Sequence, residues 1–186
     1  MSDTDLETPQ RNDTSQRLAF FRKLQAVTTK IHATSKIDEI MLDLGMEFCD
    51  LLHCDRFTLY AMDFEKDYIV SKVKTGLTTF RDLKLAVAPS SIAGYVALTH
   101  QTLNIADVYD AAELKRISPD LHFQKGVDQR TGYRTREMLV APLMDEGKNE
   151  LLGVVQFINH RDGVPFPPMA LDGVRELCKT LSVALC

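Results

Sequence analysis

Met138-Leu139-Val140-Ala141-Pro142-Leu143-Met144 and Leu151-Leu152-Gly153-Val154-Val155-Gln156-Phe157-Ile158-Asn159 are two apolar, β-forming runs. Between them Asp145-Glu146-Gly147-Lys148-Asn149 supplies the chemistry of a tight turn. The pair reads as a hairpin of central strands, because apolar residues at nearly every position ask for cover on both faces of a sheet. Working outward, Phe57 to Met62 and Tyr68 to Thr75 form a second hairpin around Asp63 to Asp67. Leu83, Leu85 and Val87 alternate with Lys84 and Ala86 as a half-buried strand ended by Pro89, and Leu103 to Ile105 reads as a brief strand. Strands that come in hairpins predict an antiparallel sheet.

Helical spacing flanks these strands. Leu18, Phe21, Leu24, Val27 and Ile31 make one stripe. Ser35 and Asp38 form a capping box ahead of a second stripe of Ile37, Ile40, Met41, Leu44, Phe48 and Leu51. After Pro165, Pro167 and Pro168, a closing helix carries Val174, Leu177, Cys178, Leu181 and Leu185. All three helices are expected to bury their stripes on one face of the sheet, giving an α+β fold. A short helix from Ser91 and the long connection from Asp107 to Asp128 would roof the other face and leave a concave space there, the candidate site.

The bounds are consistent with this. With 186 residues the chain suits one domain, and 45% hydrophobic with 26% charged residues excludes both wholesale disorder and a disulfide miniprotein. Residues 1–15 are polar enough to read as a tail, with the domain over 16–186. A formal charge of -4 argues against a nucleic-acid partner. No apolar run is long enough to insert in a membrane, and the first residues lack a signal peptide's pattern, so a cytoplasmic location is expected. Cys49, Cys54, Cys178 and Cys186 read as free thiols.

Four blocks carry a family resemblance: Ser91-Ile92-Ala93-Gly94-Tyr95-Val96; Leu103-Asn104-Ile105-Ala106-Asp107; Val127-Asp128 with Thr131-Gly132-Tyr133-Arg134-Thr135; and Gly153-Val154-Val155-Gln156-Phe157-Ile158-Asn159. In this order they resemble a GAF domain of the cyclic-nucleotide phosphodiesterase type, over roughly residues 18–185. The resemblance implies about six antiparallel strands, flanking helices and a non-enzymatic role as sensor or dimerisation module. The stretch from Phe21 to Thr180 is also similar to amino-terminal GAF regions of secretion or pilus assembly ATPases.

The start of a short helix offers unpaired amides and a positive dipole end to an anion, here at Ile92 and Ala93. The resemblance makes these two a cradle for a cyclic phosphate. It makes Asp128, Thr131 and Thr135 the ligand-associated acid and hydroxyls, and Thr58 the small-hydroxyl position. The base-reading positions depart from the family. Lys74 and Thr75 follow Lys72-Val73 where an aromatic and an acid are expected, Gln124 follows Phe123 where a second aromatic is expected, and Gln156 replaces a glutamate. An amide also donates, so guanine is disfavoured, while adenine or an unrelated group could be served. The family's salt-bridged signature is degenerate: His160 follows Asn159, and Ala170-Leu171 stand where its acids belong after Phe166.

Lys115, Arg116, Lys125, Arg130, Arg134 and Arg136 gather positive charge near the roof, which would concentrate a small anion. A phosphate-bearing ligand such as a cyclic nucleotide is expected, with no certain cofactor. His53, Cys54 and Cys49 lack a fourth metal ligand, and His32, His100, His122 and His160 lack a partnered nucleophile. Leu121 stands where a bilin-binding relative has cysteine. The competing class is a ligand-free interaction module, in which the helices at Leu18–Ile31 and Val174–Leu185 join a second copy and act on a downstream effector.

Overall fold

The computed structural model describes residues 9–34, 37–76 and 83–185. Two strands anchor it, β5 (Met138–Asp145) and β6 (Glu150–His160), antiparallel from Met138 opposite Ile158 to Asp145 opposite Glu150. Asp145 closes their turn by accepting from the amides of Gly147 (3.0 Å) and Lys148 (3.1 Å). On the far side of β6 lies β1 (Cys54–Met62), followed by β2 (Tyr68–Lys74) and β3 (Lys84–Ala86). On the outer side of β5, β4 (Leu103–Ile105) pairs with Met138 to Val140. The order is therefore β3-β2-β1-β6-β5-β4, antiparallel throughout.

The pleat sorts the central strands between two cores. Phe57 and Leu59 of β1, Leu139, Ala141 and Leu143 of β5, and Val155 and Phe157 of β6 join the core under the long helices. Tyr60, Met138, Val140, Val154 and Ile158 join the core on the opposite face. The long helices are α1 (Pro9–Ala33), α2 (Ile37–Leu52) and α6 (Pro168–Leu185). α2 and α6 lie on the sheet, whereas α1 packs on α2 and α6, so its stripe of Phe20, Leu24, Val27 and Ile31 closes a helical layer and is not spread on the strands. Gly173 on α6 makes that approach possible: a Cβ there would meet the Phe20 ring, with Cε1 2.9 Å away.

Several expectations need correction. Residues 9–15 belong to α1 and not to a tail, since Pro9 is suited to a first helical turn and the exposed polar residues 13–15 continue the helix. The rest of the supposed tail, residues 1–8, lies outside the described residues, as do the Ser35 cap and Cys186. The connection after Asp107 holds two short helices, α4 (Ala111–Ile117), capped by the Asp110 carboxylate, and α5 (Gly126–Thr131). With α3 (Ile92–Thr99) they cover the second core. Cys49, Cys54 and Cys178 are free and buried. Among the described residues no helix is long and apolar enough to cross a membrane.

Candidate functional site

α3 is placed by two local devices. Ser91 caps it, its hydroxyl accepting from the Gly94 amide at 3.0 Å. Gly94 lets its first turn press on the sheet edge, where a Cβ would strike the carbonyl oxygen of Ala86 and come within 2.6 Å of that of Ala88. The amides of Ile92 and Ala93, at the start of the helix, have no intrahelical acceptor. Both residues line a partly open hollow of about 100 Å³ between the helix and the sheet.

That hollow brings together nine of the residues picked out in the sequence: Thr58, Thr75, Ile92, Ala93, Phe123, Gln124, Asp128, Thr135 and Gln156. Two stand outside it. Thr131 is exposed, its hydroxyl donating to the Val127 carbonyl one turn back on α5 at 2.8 Å. Lys74 is buried opposite Thr58 but forms no part of the cavity wall. Arg56, Tyr60, Leu83, Leu85, Ser91, Val127, Met138 and Ile158 complete the lining. Their signal was the two-residue period, which sets Arg56 and Tyr60 beside Thr58, and Ile158 beside Gln156, on one face.

Asp128 and Thr135 are held by the fold itself. The buried Asp128 carboxylate accepts from the Thr135 hydroxyl (2.8 Å), the Thr135 amide (2.9 Å) and the Tyr109 hydroxyl (2.9 Å). It thus ties α5 to the segment entering β5 and to the approach to α4. Asn159 pins the same segment from below, accepting from the Arg136 amide at 2.7 Å and donating to the Arg134 carbonyl at 2.8 Å. The degenerate signature is packed instead of salt-bridged: Phe166 and Ala170 are in the core, and His160 stands edge-on to Phe166 and to His53. At the mouth, the Gln124 side-chain amide donates to the Ser90 carbonyl at 3.3 Å, latching the roof to the start of α3.

Burial pushes the Tyr60 phenol well above its usual range, opposed by its hydrogen bond with Gln156. Both groups enter the cavity neutral, so its polar wall of Thr58, Tyr60, Thr75 and Gln156 is suited to hydrogen bonding and not to acid–base work. The charge gathered on the roof lies elsewhere: none of Lys115, Arg116, Lys125, Arg130, Arg134 and Arg136 lines the cavity. Arg134 instead stacks on Tyr109, 3.5 Å from the ring centre. His53 faces Asp162 at 3.2 Å and the Cys54 thiol faces the Arg56 carbonyl. Among the described residues no three His, Cys, Asp or Glu side chains are grouped to hold a metal.

The sequence model of the GAF domain family matches residues 37–185, which takes in this sheet, its roof, α2 and α6. The chain belongs to the GAF domain family. GAF domains are regulatory, small-molecule-sensing modules. The chain is 28% identical over 153 residues to the Caenorhabditis elegans protein named "Probable 3',5'-cyclic phosphodiesterase pde-5", a match covering 76% of this chain and 19% of that one. It is 27% identical over 154 residues to the "Dual 3',5'-cyclic-AMP and -GMP phosphodiesterase 11A" of Takifugu rubripes, covering 78% of this chain and 16% of that one. The GAF domain thus spans less than a fifth of the length of either relative. Among solved structures, the GAF domain of a phosphoenolpyruvate-protein phosphotransferase from Coxiella burnetii superposes with a TM-score of 0.73 at 17% identity, covering 91% of this chain and 94% of that one. That likeness shows the shared fold.

Proposed function

We propose that this GAF domain senses a small phosphate- or carboxylate-bearing metabolite between α3 and the sheet and passes occupancy to an effector through its long helices. The observation that carries the reading is the cavity between α3 and the sheet. It is faced by the first amides of α3 and walled by Thr58, Thr75 and Gln156. Partner-free amides at a helix start favour an anion, and the neutral side chains favour a polar body. The names of the phosphodiesterase relatives make cyclic nucleotides the first candidates. At about 100 Å³ the cavity is below the ~300 Å³ at which drug-sized ligands are usually enclosed, so a cyclic nucleotide enters only when the roof lifts at the Gln124 latch. A metabolite of about ten non-hydrogen atoms or fewer needs less rearrangement.

Native mass spectrometry of the protein purified from its own cells tests this directly. A retained mass below roughly 400 Da that is lost on denaturation is expected. Protein that emerges at its sequence mass, together with no calorimetric heat from cyclic AMP or cyclic GMP, would overturn the sensing role.

A second reading has its own observation. Leu18 and Phe21 on α1, and Leu42 and Met46 on α2, are exposed apolar side chains on the helical layer. They suit a homodimer that regulates an attached or partner effector, such as a secretion ATPase. The cavity would then be vestigial, and sedimentation would find a dimer regardless of ligand.

A further inference from the structure

Among the described residues Arg56 is the cavity's one arginine or lysine. It stands on β1 two residues before Thr58, on the cavity face, at the end of the sheet where Thr75 and Gly76 leave β2. Its guanidinium carbon lies over the Tyr133 ring, 3.4 Å from the centre. The stem of the side chain passes close to Gly76, where a Cβ would come within 3.2 Å of Cγ and 3.3 Å of Nε. Gly76 has φ +71°, so glycine is favoured there twice over, by backbone and by space. Tyr133 is itself fixed, its hydroxyl donating to Asp55 at 3.2 Å and accepting from Asn159 at 2.9 Å. Among the described residues no carboxylate lies within ion-pair distance of Arg56. A guanidinium stacked on a ring keeps its edge for in-plane hydrogen bonds, and a planar fork with no ion-paired acid among the described residues is suited to a bidentate oxyanion.

The register shows where this group stands relative to α3. Arg56 is level with Gly76, because the Thr75 amide bonds the Phe57 carbonyl and Thr58 faces Lys74. The first turn of α3 presses on Ala86 and Ala88, and Ala86 is level with Tyr68 at the opposite end of β2. Arg56, Thr58 and Tyr60 of β1 and the start of α3 all line the cavity, and Arg56 stands at the end of β1 away from the strand end on which α3 presses.

Resting on the sensing role proposed above, we propose that Arg56 is the anion-recognising residue of the cavity, and that the ligand is an elongated small metabolite with acidic groups at both ends, a dicarboxylate or a phosphocarboxylate. Arg56 takes one oxyanion bidentately while the other faces the amides of Ile92 and Ala93. A cyclic mononucleotide, with one phosphate, satisfies only one of these ends.

The test is calorimetric titration and thermal shift of the full chain with succinate and with 3-phosphonopropionate, against butyrate as the single-ended control. The two dianions distinguish carboxylate from phosphate at the second end. Expected is saturable binding of at least one dianion, none of butyrate at the same concentration, and at least a tenfold loss of dianion affinity in Arg56→Met. Arg56→Lys keeps the charge without the fork and should lose part of the affinity while melting near wild type, which separates recognition from folding. Undiminished dianion binding in Arg56→Met, butyrate binding as well as the dianions, or no dianion binding at 10 mM would each overturn the assignment. The two failures are distinguishable: a metabolite retained in native mass spectrometry but bound equally by Arg56→Met removes Arg56 and leaves the sensor, whereas protein at its sequence mass with no heat from cyclic AMP or cyclic GMP removes the sensor itself.

Discussion

Replacing Asp128 by alanine separates a strut from a ligand contact. In the ligand-free fold its carboxylate accepts three hydrogen bonds, from the Thr135 amide, the Thr135 hydroxyl and the Tyr109 hydroxyl. Bonds to a charged acceptor are worth roughly 1.5–3 kcal/mol each. The two hydroxyls can rotate toward other acceptors or water, whereas the Thr135 amide cannot, and a buried amide left unpaired costs roughly 1–3 kcal/mol. Allowing partial recovery of the hydroxyls, Asp128→Ala should destabilise by about 2–4 kcal/mol even with no ligand present. At roughly 2–4 °C per kcal/mol for a domain of this size, the melting temperature should fall by about 5–15 °C. Asp128→Asn retains one acceptor oxygen and should lose about half as much. Urea denaturation followed by circular dichroism gives the free energies, and amide exchange at Thr135 reports the local event, because that proton should lose its protection first. A variant within ~0.5 kcal/mol of wild type, or an unchanged Thr135 exchange rate, would refute the strut and return Asp128 to the role of a ligand acceptor.

Other perturbations test other parts of the molecule. Gly94→Ala drives a Cβ into the carbonyls of Ala86 and Ala88, and a loss of about 2 kcal/mol or more in urea denaturation is expected, although alanine is the better helix former. Burial holds the His160 imidazole below its ordinary 6.5, with Asp162 pulling the other way. The unfolded chain therefore takes up this proton first. The stability that neutral His160 contributes is full above about pH 6.5 and lost as pH falls through the lower folded value, a slope that His160→Gln should flatten in melts between pH 7 and pH 5. Phe21→Glu puts a charge on the exposed face of α1; if that face joins two copies, sedimentation should shift toward monomer, and an unchanged species distribution would count against the dimer. Burial raises the Cys178 thiol to about 12, so peptide mapping after alkylation at pH 8 should find it labelled only in denaturant.

The architecture was legible where side chains obey a period. β4 spans the same three residues in sequence and structure, and both long hairpins are present, since alternating or continuous β-formers bounded by Asp, Gly and Pro leave little choice. α4 and α5 escaped because seven and six residues are too few to write a stripe: Leu114 is the only buried side chain of α4 and Asp128 the only one of α5. The first turns of α1 escaped for a related reason, being exposed throughout residues 13–19 and polar as far as Arg17. At the site, the family resemblance located nine lining residues but could not say what each side chain faces. Thr131 lies three positions from Asp128, yet turns back on its own helix. Arg56 was within reach of the same two-residue period that marks Thr58, but a lone arginine after an aspartate carries no motif, and its neighbours Gly76 and Tyr133 are distant in sequence.

Because β6 gives Val154, Gln156 and Ile158 to one side and Val155 and Phe157 to the other, this strand tolerates exchanges of residue far better than changes of length. One extra residue ahead of Gln156, if the pairing with β1 and β5 were kept, would swing Phe157 into the hollow and thrust a polar amide beneath α6. Variation in this protein should therefore enter its strand interiors as substitutions, and insertions should collect at the hairpin tip near Gly147.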